Sequence, residues 1–335
     1  MTVPETATSQ AVPAARRPGR AAVWLARLGP LIGLAFVLTF FSVLRPSSFP
    51  TLQTAELILT QTAVVGTAAM GMTIIIVAGG IDLSVGANIA LVTVVIAMLL
   101  NAGAPPLLAA AGGVGAALVV GLLIGLLVTQ ARLAPFIVTL GFWGGVRGVA
   151  KQLSGGTVLP CPDSWLDTLL RFLSAGQSWM IVPPGVWLML LSALAVSLTL
   201  RYTRFGRHVF AIGSNEQTAR LCGVRVNWTK ILVYLAGTLL AGFAGILEFS
   251  HLTVGDPTTA NGMELSIIAA VVIGGGSLNG GQGSAAGSIL GALIMTAVAN
   301  GCSQMGLSNS VQDIVTGALI ILAVFLDKIR HRRSA

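Results

Sequence analysis

Apolar residues in this chain come in long runs, punctuated by glycines and by short polar stretches. A helix needs about 20 apolar residues to cross a bilayer, within a range of about 17–25. Runs that meet or approach that length are 28–44, 56–78, 85–101, 107–128, 133–150, 181–200, 230–250, 284–300 and 311–327. A shorter run, 265–276, is polar-flanked and glycine-ended. Counting it gives ten segments, and omitting it gives nine.

Charge decides between the two. Arg16, Arg17, Arg20 and Arg27 precede the first run, and Lys328, Arg330, Arg332 and Arg333 follow the last. Cytoplasmic flanks carry the excess of Lys and Arg, so both termini are expected in the cytoplasm and the number of crossings is even. Ten spans put fifteen of the nineteen basic residues inside, leaving Arg45, Arg147, Lys151 and Arg171 outside. Trp24, Trp187 and Trp228 stand near expected helix starts, where an amphipathic ring meets the membrane interface. The expected fold is an all-α integral membrane protein of about ten transmembrane helices, some short or broken, with N and C termini cytoplasmic.

Residues 1–27 are rich in Ala, Pro and Arg and read as a disordered cytoplasmic tail; no small-x-small cleavage site follows them. The membrane domain is expected over 28–328, with a basic tail at 329–335. Two loops are long: an outer one, 151–183, and an inner one, 201–230. Within the outer loop, Ser164 to Leu173 has the pattern of a short amphipathic helix on the membrane surface.

Composition agrees with a membrane protein. Of 335 residues, 55% are hydrophobic and 9% charged, against roughly a quarter charged in soluble domains. The net charge of +8 follows the topology and forms no continuous basic face, so nucleic acid is not an expected partner. Cys161, Cys222 and Cys302 are far apart, without metal or disulfide spacing. No P-loop, HExxH or Ser-His-Asp-like cluster occurs, so no catalysis and no cofactor are expected in this chain.

The inner loop, RYTRFGRHVFAIGSNEQTARLCGVRVNWTK, carries the most information. Ser214 stands three residues before Gln217, the spacing of a capping box. Gly223 suits the left-handed residue that ends a helix. The spacing therefore predicts a helix from Asn215 to Cys222, with Glu216 and Arg220 four apart in the favourable order. Ala219 and Cys222 give it a face of little bulk. Such a helix is shaped to enter a groove on a partner, or simply tidies a long loop.

Three further features stand out. Gly79-Gly80-Ile81-Asp82-Leu83-Ser84-Val85-Gly86 breaks two apolar runs with an aspartate, which implies non-helical backbone inside the membrane domain. Asp82, with Ser84 beside it, either caps the following helix or lines a path or binds a coupling ion. Gly283, Gly287 and Gly291 form overlapping GxxxG units, as do the pairs Gly121/Gly125 and Gly141/Gly145, and read as close helix contacts within the subunit or across a dimer. Glu248 and His251, three apart at the outer end of the seventh span, either contact solute or form a surface pair. Residues 74–97 and 267–294 also share one order, an apolar run, a glycine-rich break with a Ser and a second apolar run, which reads as a faint internal repeat.

Four stretches, AGGIDLSVGA (78–87), APFIVTLGFWGGVRGVA (134–150), TRFGRHVFAIGSNEQTARLCGVRV (203–226) and ELSIIAAVVIGGGSLNGGQGS (264–284), carry a resemblance. Over roughly residues 30–328 the chain resembles the permease subunits of ABC importers of the monosaccharide (ribose/xylose/galactose) type. The resemblance implies a bacterial inner-membrane protein acting as two permease subunits, with ABC ATPase subunits that bind ATP and Mg and a periplasmic sugar-binding protein. It implies that the 203–226 loop holds the helix that enters the ATPase, with Asn215, Glu216, Ala219, Arg220, Gly223 and Val224 as contacts. An ion-coupled secondary transporter of a small polar solute is the alternative, resting on Asp82, Glu248 and the possible repeat.

Overall fold

In the computed structural model, residues 20–172 and 180–332 are described. Among them the chain forms twelve α-helices and one two-residue strand pair. They are α1 (Arg20–Leu44), α2 (Leu52–Val77), α3 (Val85–Asn101), α4 (Pro106–Thr129), α5 (Pro135–Leu153), β1 (Leu159–Pro160), α6 (Pro184–Tyr202), α7 (Arg204–Ser214), α8 (Glu216–Leu221), α9 (Val226–Leu252), β2 (Val254–Gly255), α10 (Met263–Ile273), α11 (Ala285–Gln304) and α12 (Asn309–Arg332).

Each of the ten expected segments falls on a helix, and α7 and α8 occupy the inner loop. Five of the helices, α2, α4, α6, α9 and α11, are long and apolar enough by themselves to cross a membrane. Two ends of the expected membrane domain differ. The helix α1 opens at Arg20 and not at 28, because Ala21, Ala22, Leu25 and Ala26 are strong helix formers that extend the run. The last helix likewise continues to Arg332. The rest of the expected N-terminal tail lies outside the described residues.

Helix α2 sits at the centre. Almost all of it from Thr60 inward is buried, between α9, α11, α10 and α6. Inside hydrocarbon there is no hydrophobic drive between helices, so small residues and interhelical hydrogen bonds set the packing. A row of such bonds joins α2 to α11: Thr62 Oγ1 to Thr296 Oγ1 at 2.6 Å, Thr73 Oγ1 to Ser288 Oγ at 2.7 Å, and Asn300 Nδ2 to Gln61 Oε1 at 2.7 Å.

The glycine pattern divides. Gly121 and Gly125 bring α4 onto Thr238 and Ile231 of α9, and Gly287 and Gly291 bring α11 onto the backbone carbonyls of Gly274 and Ala270 at α10. Gly283 lies ahead of the helix, before the N-cap Ser284, and packs on Val77. It is a loop contact and not a helix–helix one. Gly141 and Gly145 meet nothing within 4 Å. They flank an apolar groove between α4 and α5, so within this subunit the expected contact is absent.

Contacts sort the loops onto two ends of the bundle. At one end Asn101 Nδ2 donates to Pro160 O at 2.9 Å, β1 pairs antiparallel with β2, and Arg147 Nη1 donates to Thr259 O at 2.6 Å. At the other, the Gly281 N–H donates to Val77 O at 2.9 Å, and Gly79, Gly213 and Gly280 touch backbone to backbone. This is the partition that the charge distribution predicts for outer and inner loops.

The two glycine-rich breaks meet at that second end and are built alike. After α2, the N–H groups of Ala78 and Gly80 return to Ile74 and Ile75, with Gly79 at φ +80°. After α10, those of Gly274 and Gly276 return to Ala270 and Val271, with Gly275 at φ +94°. Both are helix ends closed by a left-handed glycine, and a serine N-cap follows each, Ser84 and Ser284.

The other end differs between them. The segment 255–260 does not stay at the surface. Gly255 lies against Thr93, Val94 and Ala97 of α3, whereas Ala260 lies against Gly86 at the start of that helix. The chain therefore descends along α3 before α10 begins. With 11 residues, α10 is about 16 Å long, half the roughly 30 Å of a hydrocarbon core.

Candidate translocation cavity and inner coupling helix

The inner loop folds as a pair of short helices. Phe205, Val209 and Ile212 fall on one side of α7, whose N-cap Thr203 accepts from the Gly206 N–H at 3.1 Å. The cap of α8 is Asn215, whose Oδ1 accepts from the Thr218 N–H at 2.9 Å. The expected capping box on Ser214 is therefore shifted: Ser214 still belongs to α7, and the extended backbone that a cap requires falls one residue later. Gly223, at φ +82°, closes the helix.

Glu216 holds α8 to its surroundings. Its Oε2 accepts from Lys230 Nζ at 2.6 Å at the foot of α9, and its Oε1 from Arg220 at 3.3 Å. Partial burial would push this carboxyl up, but the Lys230 bond and charge, with Arg220, hold it below the usual glutamate value. It is thus ionised at neutral pH.

The face of Ala219 is not free. Ala219 is 4% exposed and packs with Ile212 and Val226, because its small side chain lets α8 lie on α7 and α9. Asn215, Arg220 and Gly223 are exposed and Val224 is half-buried. Leu221 was passed over in the sequence, yet it is 89% exposed. A bare leucine on a polar six-residue helix was the signal for it.

Asp82 and Ser84 are buried in the break between α2 and α3. Asp82 Oδ1 accepts from the Ser84 N–H at 2.7 Å and from Ser84 Oγ at 2.6 Å, and Ser84 Oγ accepts from Asn88 Nδ2 at 3.2 Å. The aspartate closes an Asx turn ahead of the helix; it does not cap the helix itself, since Ser84 is the N-cap residue and makes no side-chain cap bond. Asp256 repeats the device with Thr258, at 2.7 Å to both N and Oγ1. Neither Asp82 nor Ser84 lines the large cavity described next. An Asp82→Asn permease is expected to keep its uptake, because the amide oxygen still accepts. Asp82→Ala strands two donors and is expected to lose about 1–3 kcal/mol in denaturation midpoints measured in detergent. Loss of uptake in the asparagine variant would assign Asp82 to ion coupling instead.

Near mid-length of α2, a cavity of about 760 Å³ opens between α2, α5, α9, α10, α11 and α12. Glu248 and His251 both line it. They do not bond to each other: Glu248 is buried and its Oε1 accepts from Thr259 Oγ1 at 2.6 Å, whereas His251 is exposed. The cavity adds residues that sequence reasoning missed, Glu264, Trp143 and Gln61. Glu264 opens α10 and accepts from Trp143 Nε1 at 3.1 Å. A carboxylate at the head of an apolar run was its signal, since ionisable groups inside a membrane bundle are costly and mark function.

A buried bundle with broken helices around a polar central cavity defines a multi-pass membrane permease. The chain matches the family described as "Branched-chain amino acid transport system / permease component" over residues 54–324 and belongs to it. It is 38% identical to the ribose import permease protein RbsC of Escherichia coli (strain K12), covering 91% of this chain and 94% of that protein. It is 33% identical to the L-arabinose ABC transporter permease protein AraH of Azospirillum brasilense, covering 97% and 96%. To the fructose import permease protein FrcC of Rhizobium meliloti it is 35% identical, covering 89% and 84%. No solved structure matches the chain significantly. The protein is accordingly a multi-pass inner-membrane permease of the ABC type.

Proposed function

We propose that this chain is the translocating subunit of an ATP-driven importer for a small sugar. The observation that carries the reading is α8: a capped, anchored polar helix with its apolar side chain turned outward. A helix of this kind has no membrane role of its own, and it fits a groove on a separate ATPase subunit, which binds ATP and Mg. Asn215, Glu216, Arg220, Gly223 and Val224 surround the contact, Leu221 supplies its apolar anchor, and Ala219 transmits the contact inward to α7 and α9. The similarity to ribose, arabinose and fructose permeases supports a sugar as cargo.

In this reading the termini are cytoplasmic, two copies of the chain stand side by side, and a loaded periplasmic binding protein docks on the outer face. Nucleotide-driven closure of the ATPases moves α8, and the bundle alternates its access. Only differential binding between the two states can drive that exchange.

The test is reconstitution with the cognate ATPase and binding protein. ATPase activity is expected to rise when loaded binding protein is added, with sugar uptake following. Uptake by this chain alone, driven by an ion gradient, would favour a secondary transporter. Leu221→Glu puts a charge where an apolar anchor is needed, a loss of about 2 kcal/mol at an interface hot spot. Co-purification of the ATPase is expected to fall by about 30-fold, which a pull-down titration measures.

A further inference from the structure

The cavity has a definite chemistry. Its polar lining includes three carboxylates, Glu248, Glu264 and Asp313, and the amides Gln61 and Asn261, with Trp143 to one side. Glu264 is only 6% exposed, yet its Oε2 accepts no hydrogen bond within the described residues. Glu248 gives one oxygen to Thr259, and no described residue donates to the other. Buried acceptors are nearly always satisfied in proteins, so these call for donors from outside the chain. Valine, leucine, methionine and isoleucine side chains complete the wall. A size of about 300–1,000 Å³ is ordinary for a small-molecule site.

Cations are what the lining lacks. Among the described residues no Lys or Arg lines it, and His251 is its one basic group. The nearby Arg147 turns Nη1 to the carbonyls of Pro257 and Thr259. A solute carrying a carboxylate would have to bury that charge unpaired among three others, at a cost of several kcal/mol. A neutral solute rich in hydroxyls meets no such penalty: its O–H groups donate to the carboxylates, its oxygens accept from the amides, and its C–H face rests on the indole.

We infer that this cavity is the resting site of the transported solute, and that it takes an uncharged polyol of monosaccharide size and rejects amino acids. The inference rests on the importer reading and adds the site to it. Glu248 and Glu264 are the acceptors, Trp143 is the platform, and Gln61 and Asn261 complete the hydrogen bonding.

Protection from labelling tests it. Ala299, on the cavity wall, is replaced by cysteine in a chain whose three native cysteines are serine, within the reconstituted permease–ATPase complex. At about twice its dissociation constant, D-ribose, L-arabinose or D-fructose is expected to slow thiol labelling about threefold. L-leucine and ethanolamine are expected to leave it unchanged. The protection should vanish in Glu264→Gln and Trp143→Ala while ATPase stimulation by loaded binding protein persists. Normal stimulation with no protection by any of the three sugars overturns the site and leaves the importer standing. Equal protection by L-leucine or ethanolamine overturns the specificity. Absent stimulation with intact protection overturns the importer and leaves the site.

Discussion

A Gly213→Val permease is expected to reach the membrane, bind its ATPase and import almost nothing. Gly213 lies in α7, one residue ahead of the helix end, directly on the Val77 carbonyl and close to the Gly281 N–H. A β-carbon there would overlap backbone atoms of α2, which cannot step aside as a flexible side chain can. Overpacking of this kind costs about 1–3 kcal/mol, similar in size to the coupling energies that link distant sites, about 1–3 kcal/mol or 5–150-fold. The displaced α7 is the element on which α8 rests, and the two glycine-rich breaks close against it. The variant is therefore expected to hydrolyse ATP without the rise caused by loaded binding protein, and to lose at least about tenfold in uptake. Uptake at the unmodified level would remove α7 from the path of transmission.

The second large effect is on stability. Gly291 faces the Ala270 carbonyl so closely that any side chain would collide with it. Gly291→Leu must push the half-length α10 away from α11 or unwind it, and with α10 goes the wall that carries Glu264. About 3 kcal/mol is the expected loss, visible as a lowered unfolding midpoint in detergent. Gly144→Leu, on the open side of α5 where nothing lies within 4 Å, is the control. It is expected to change that midpoint by less than about 0.5 kcal/mol. Equal shifts in the two would mean that the contact between α10 and α11 does not hold the fold.

Much of the membrane architecture was readable because hydrocarbon imposes a simple requirement: a span is a long apolar run, and charge placement orders the runs. All ten segments coincide with helices for that reason. The short run 265–276 was correct in kind, but its depth was not readable. Nothing in the residues 256–262 announces a descent into the bundle except the turn-forming Asp256-Pro257-Thr258. Helix α7 was missed although Phe205, Val209 and Ile212 have helical spacing, because its arginines made the stretch look like loop. The inner helix was legible to within one residue, since caps and left-handed glycines are local chemistry. Ala219 was legible as small but not as buried; small side chains suit a partner's groove and the subunit's own packing equally well.

The cavity was the least legible feature. Glu248 and His251 were noticed because they share a helix. Glu264, Trp143 and Gln61 come from three other helices, and no spacing along the chain brings them together. Asp82 drew attention as an ionisable residue among apolar runs, but an aspartate two residues before a serine is also the simplest way to close a turn, and that is its work here.

The strand pair on the outer face has a mechanical corollary. Pro160 is fastened to Asn101 at the tip of α3, and β1 is fastened to β2, so the outer loop is a braced rim. Immediately after β2 the chain dives to Thr259, whose hydroxyl rests on Glu248. Pressure applied to that rim is thus conveyed down a strut of a few residues to the floor of the chamber, and a visitor docking outside can disturb a carboxylate deep within the membrane without entering it.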